Sequence, residues 1–155
     1  MFIRRAEIKD TERIKELLSQ VLEVHHKGRP DIFKTGCRKY TDSELQEITK
    51  DDMRPIFVAE DNGIVYGYAF CIITQHINNN ILTDIKTLYI DDLCVDESCR
   101  GNHIGKSLYD AVLSYAKEIK CYNVTLNVWS LNESAIRFYE KCGLKPQKIG
   151  MEIIL

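Results

Sequence analysis

The chain of 155 residues is poor in several features that would have named a class of protein at once. Its six cysteines, at 37, 71, 94, 99, 121 and 142, include no C-x-x-C pair, which argues against a zinc site; no metal is expected. Cys71 and Cys94 fall inside apolar runs, where a reduced thiol packs as a small hydrophobe. No apolar run approaches the roughly 18 residues of a membrane span, and no charged and apolar leader opens the chain. The simplest expectation is a cytoplasmic protein with no membrane partner. Neither sign of charge dominates: 21 Lys and Arg stand against 23 Asp and Glu, so the net charge of −2 gives no general grip on nucleic acid. Repeats, low-complexity tracts and linkers are also missing, so residues 1–155 are expected to form a single domain.

The pattern of elements is mixed. Residues 3–6 suit a short strand, and Asp10 is placed to cap a helix carrying Ile14, Leu17, Leu18, Val21 and Leu22 on one face. Residues 24–40 have no clear period and are expected to form a loop. Thr41 and Glu44 make a capping box for a second helix. Asn62-Gly63 joins two β-rich runs and suits a type I′ hairpin turn. A third strand, 85–95, completes a meander, followed by a helix over 103–120, a strand over 123–129, a helix over 133–142 and a terminal strand over 148–155. The predicted fold is α/β: one mixed, mostly antiparallel sheet with a central parallel βαβ unit. The apolar terminal strand is expected to be paired or covered, and a homodimer is one way to cover it.

Within the βαβ unit the strand-to-helix turn reads "SCRGNHIGKSL" (98–108). It is one residue too short for a P-loop, because only three residues separate Gly101 from Gly105. At a helix N-terminus the amides from Asn102 to Lys106 lack intrahelical acceptors and can face an anion, with phosphate the natural guest. Gly101 and Gly105 allow close approach and Arg100 adds a fixed positive charge. An ordinary βα turn explains the same residues without a ligand. In the preceding strand, Leu88 and Ile90 lie at even positions and Leu93 and Val95 at odd ones, so the apolar phase slips at Asp91-Asp92. A bulge there would part this strand from its parallel neighbour and leave a slot for another extended, amide-bearing chain. A strand buried on both faces is the competing explanation.

The run R-G-N-H-I-G resembles the Arg/Gln-x-x-Gly-x-Gly/Ala signature of the GNAT acetyltransferase superfamily, with Arg100, His103 and Gly105 on the signature positions. His103 occupies a slot that is most often glycine. A second block, with Asn132, Ala135, Phe138, Tyr139, Lys141 and Gly143, resembles the pattern that closes the cofactor site in that superfamily. The resemblance implies a GNAT fold with splayed strands and acetyl-CoA as cosubstrate. By that resemblance the backbone of Leu93, Cys94 and Val95 holds the pantetheine arm. Arg100, Gly101, Asn102, His103, Ile104, Gly105 and Lys106 hold the pyrophosphate, and Asn132 and Tyr139 close the opposite lip. It also implies that the first two helices and the loop between them line the acceptor site.

The chemistry implied is N-acetylation of a primary amine, on a small molecule or a peptide, directly through a ternary complex. An alkylammonium has a pKa of about 10 and must lose a proton before it can attack. Asp91 or Asp92 is the candidate base, directly or through water, and Tyr139 the candidate acid for the departing thiolate. A binding module that senses CoA without turnover is the alternative, though it would have no use for an acid and a base.

Overall fold

The computed structural model describes all residues 1–155. A five-stranded sheet runs in the order β1 (Phe2–Arg5), β2 (Ile56–Asp61), β3 (Ile64–Gln75), β4 (Lys86–Val95) and β5 (Asn123–Leu126). The first four strands pair antiparallel, and β4 pairs with β5 in parallel. Helices α1 (Thr11–Gly28) and α2 (Asp42–Thr49) cover one face, α3 (Ile104–Glu118) covers the other, and α4 (Glu133–Lys141) follows β5.

Because both faces are covered, the central strands alternate between two cores instead of between core and water. Ile56 and Val58 of β2, with Tyr68 and Phe70 of β3, pack against Ile14, Leu17, Leu45 and Ile48 of α1 and α2. Phe57, Ala59, Ala69 and Cys71 pack against Ile104, Leu108, Val112 and Ala116 of α3. Leu88 and Ile90 of β4 lie in the α3-side core, but Cys94 lies in the α1-side core, so β4 changes phase between them.

The Asn62-Gly63 hairpin has the two positive φ values, 51° and 81°, that a type I′ turn requires. The Thr41/Glu44 capping box is present in both directions. Asp10 does not cap α1 with its side chain: its carboxylate receives Arg4 at 2.6 and 2.9 Å and the Glu7 amide at 2.8 Å, closing the short turn before the helix.

Other expectations need correction. The segment expected to be a loop from residue 24 is helical as far as Gly28. Lys27 stands in the last turn, where a cationic side chain complements the helix dipole. The strand expected over 123–129 stops at Leu126. The terminal strand over 148–155 does not form, and Ile149, Met151, Ile153 and Leu155 are each more than four-fifths exposed. Alternating apolar residues supply strand propensity, but a strand also needs an edge in register, and no strand pairs with this segment.

Gly67 of β3 faces Val95 of β4 with no room for a side chain. A Cβ there would sit 2.6 Å from the Cys94 carbonyl oxygen and 3.1 Å from Leu108 Cδ1. Gly67→Ala is expected to lower stability by about 1–3 kcal/mol through overpacking. Gly28→Ala, which meets nothing within 4 Å, is expected to be neutral. Urea midpoints of the two variants test this.

Candidate active site

The phase change in β4 is a bulge at Asp91. Phe70 faces Asp92 and Cys71 faces Ile90, so Asp91 has no partner of its own on β3. The bulge also marks a fork. β4 pairs with β5 only from Thr87–Asn123 to Ile90–Leu126, after which β5 ends. From Asp91 to Val95, β4 keeps β3 on one side and has no neighbouring strand on the other. Asn127 Nδ2 donates to Tyr89 Oη at 3.2 Å, tying the departing chain to the crotch of the fork. The backbone of Leu93 and Val95 therefore faces the gap, whereas the Cys94 carbonyl turns toward β3 at Gly67, so Cys94 offers no backbone there, and its side chain is buried against α1.

Past the fork, Gly101 and His103 hold φ of 85° and 60°. His103 is thus left-handed at the N-cap of α3, a conformation histidine tolerates better than most non-glycine residues. The first amide of this helix to find a chain acceptor is Ser107, at 3.0 Å from the His103 carbonyl. Those from Gly101 to Lys106 are left for a ligand or solvent, and the helix dipole adds to their positive potential. Ile104 turns its side chain into the core, so only its backbone can serve. Lys106 pairs with Asp110 one turn on, and Arg100 Nε lies 3.3 Å from the Val95 carbonyl oxygen.

Asn132 caps α4 by accepting the Ala135 amide at 3.2 Å and the Ser134 hydroxyl at 3.0 Å, which commits its oxygen and leaves Nδ2 for a ligand. Tyr139, half-buried on α4, packs edge-on to Phe138 at 5.1 Å. Burial raises its phenol pKa, and the Asp92 charge pushes it the same way, so the proton stays on.

Asp91 and Asp92 are not free carboxylates. Lys39 Nζ, from the segment between α1 and α2, lies 2.9 Å from Asp91 Oδ2 and 3.9 Å from Asp92 Oδ2. Tyr68 Oη donates to Asp92 Oδ2 at 2.9 Å. Burial raises the Asp92 pKa above the ordinary aspartate value, with Lys39 and the Tyr68 hydrogen bond opposing the shift. Two aromatic clusters form on this side of the sheet: Tyr40, next to Lys39, stacks on Phe70 at 5.7 Å, and His25 stacks on Phe33 at 5.0 Å, which meets Trp129 edge-on at 5.3 Å. Burial lowers the His25 pKa.

A family model described as "Acetyltransferase (GNAT) family" matches residues 18–144. The chain belongs to the GNAT acetyltransferase family. The glucosamine 6-phosphate N-acetyltransferase of Arabidopsis thaliana is 35% identical over 66 residues, 43% of this chain. The match spans 42% of that relative's length. A Bacillus halodurans protein solved as a tetramutant is 33% identical, with a TM-score of 0.94 over 100% of both chains. An aminoglycoside N-acetyltransferase solved in complex with CoA shares the fold at 16% identity, with a TM-score of 0.73 over 99% of this chain and 98% of its own.

In this GNAT chain Gly105, in the first turn of α3, lies against Phe138 of α4 and Val95 of β4, which sets parts of the two motif blocks side by side. Lys39, Tyr40 and Tyr68 carry no motif, and only the fold assembles them around Asp91 and Asp92. Cys71 and Cys94 are buried, which pushes both thiols up to about 12 and leaves them unreactive.

Asp96, just past the fork, anchors the loop. It accepts the Ser98 amide at 2.9 Å and the Ser98 hydroxyl at 2.6 Å, and pairs with Arg13 of α1. The Ser98 hydrogen bonds, followed by Arg13, lower its pKa to about 2. A carboxylate held below its unfolded value stabilises the fold above that value, and the contribution fades as pH falls through the folded one. Stability is therefore expected to drop between about pH 4 and about pH 2. Asp96→Asn should flatten that drop in urea titrations across the same range.

Proposed function

We propose that this GNAT protein is an N-acetyltransferase that uses acetyl-CoA to acylate a primary amine directly in a ternary complex. The fork in the sheet is the observation that carries the reading: β4 leaves β5 at the bulge that brings Asp91 and Asp92 to one side, and the acceptor-less amides of the α3 N-terminus lie just beyond.

These residues fit acetyl-CoA. The amides from Gly101 to Lys106, with Arg100 beside them, suit a pyrophosphate; the open backbone of Leu93 and Val95 suits an amide-bearing arm; and Asn132 Nδ2 can meet it from the far lip. When bound, acetyl-CoA supplies an activated acyl thioester. The relatives whose names include N-acetyltransferase, and the aminoglycoside enzyme in complex with CoA, support the assignment of cosubstrate.

Asp92 takes the proton that an ammonium must lose, directly or through one water, and its raised pKa makes it a stronger base than an exposed aspartate. Asp91 adds negative potential that attracts the cation. The Leu93 amide, on the unpaired edge, can donate to the acyl oxygen as charge gathers there. Tyr139 keeps its proton and can give it to the departing sulfur.

A panel of amines assayed for acetyl-CoA-dependent thiol release tests the whole reading; tight CoA binding with no release from any amine would favour a sensing module. Tyr139→Phe is expected to lower kcat by about tenfold or more with little change in the acetyl-CoA KM. Turnover close to wild type would remove Tyr139 from the chemistry. Because Asp92 must be ionised, the acid limb of kcat/KM is expected above the ordinary aspartate range and should be lost in Asp92→Asn.

A further inference from the structure

We propose that the acceptor subsite beside the β4 bulge is built for a primary alkylammonium on a flexible methylene stem, and that Lys39 is its internal stand-in, displaced when the acceptor enters. This rests on the acyl-transfer reading and names the substrate class for the same site.

Lys39 shows what the subsite holds. Its Nζ is shared between the two carboxylates turned to one side by the bulge, 2.9 Å from Asp91 and 3.9 Å from Asp92, and lies 5.5 Å from the centre of the Tyr40 ring. Two anions and an aromatic face are the recognition set for a desolvated ammonium. Tyr68 Oη fixes Asp92 from behind, so the carboxylate stays in place when its cation leaves. One ammonium against two carboxylates keeps the subsite attractive to another cation. Burial opposes the Lys39 charge, but Asp92 and Asp91 outweigh it and the pKa rises.

Lys39 is also placed to leave. Its side chain is 39% exposed, so it can be released to water instead of being withdrawn through a core. Between the segment that carries it and α1 lies a cleft of about 190 Å³, lined on the α1 side by Glu12, Lys15, Glu16, Leu18 and Ser19, into which Lys39 already faces. The aromatic face at the subsite, Tyr40 stacked on Phe70, suits a methylene stem better than a phosphorylated sugar, and the neighbouring cluster offers a phosphate little. Phe33 and Trp129 are apolar, and Arg29, which stacks on Trp129 at 6.0 Å, is committed to Asp31 and Glu152. An anionic acceptor would find Arg29 and Lys39 already paired with carboxylates.

Two measurements decide the proposal, using n-butylamine, which reproduces the lysine stem, and glucosamine 6-phosphate as probes. In the protein without acetyl-CoA, the nitrogen-15 ammonium signal of Lys39, assigned through Lys39→Arg, is expected to move to the free-lysine position as n-butylamine is added. Glucosamine 6-phosphate at equal concentration should leave it unmoved. In thiol-release assays, Lys39→Met is expected to lower the n-butylamine KM by about fivefold or more, because the competing occupant is gone. Lys39→Arg, which refills the carboxylate pair, should not. An unmoved Lys39 signal, displacement by the sugar phosphate alone, or a higher KM in Lys39→Met would overturn the proposal. Displacement of Lys39 with no thiol release from any amine would remove the acyl-transfer reading while leaving the alkylammonium subsite in place.

Discussion

One extra residue in a strand organises this molecule. Asp91 has no partner on β3, so β4 bends and turns its later side chains to the opposite face. Leu88 and Ile90 pack under α3, whereas Asp92 reaches Tyr68 and Cys94 packs beneath α1. The same bend ends the pairing with β5 after Ile90–Leu126 and leaves backbone from Asp91 to Val95 without a neighbour on that side. A fully paired sheet would satisfy more hydrogen bonds; the unpaired stretch is tolerated because it lies at the surface, where solvent or a ligand can meet it.

Around that fork the charges are arranged by sign. Amides without acceptors and Arg100 make the α3 side positive, suited to phosphates, while Asp91 and Asp92 make the α1 side negative, suited to an amine. Tyr139 stands within the field of Asp92 and keeps its proton. The two signs flank a single gap, so an anionic donor and a cationic acceptor would be drawn to opposite ends of it. Asp96 links the halves, holding the Ser98 turn before the loop and reaching Arg13 of α1.

Several features were legible in the residues. The hairpin follows from Asn62-Gly63, since few other pairs accept two positive φ values. The bulge follows from the slip in apolar phase between Ile90 and Leu93, and the loop before α3 from glycines beside the start of an amphipathic helix. Where the reading failed, the missing information was a partner. Residues 148–155 alternate as a strand should, yet stay exposed because strand propensity is realised only against an available edge. His25 to Gly28 lack a clear period but continue α1, whose existing turns make each added residue cheap to order.

What the sequence by itself determined is what depends on neighbours in the chain: the capping box at Thr41, the type I′ turn and the amides exposed at a helix start. Only the tertiary structure decided which side chains share the site. Lys39 is 52 residues from Asp91, and no local rule links a lysine in an irregular segment to a carboxylate at a strand bulge. Backbone geometry is set within a few residues, whereas an ion pair across two elements is set by how their packed faces orient the segments between them.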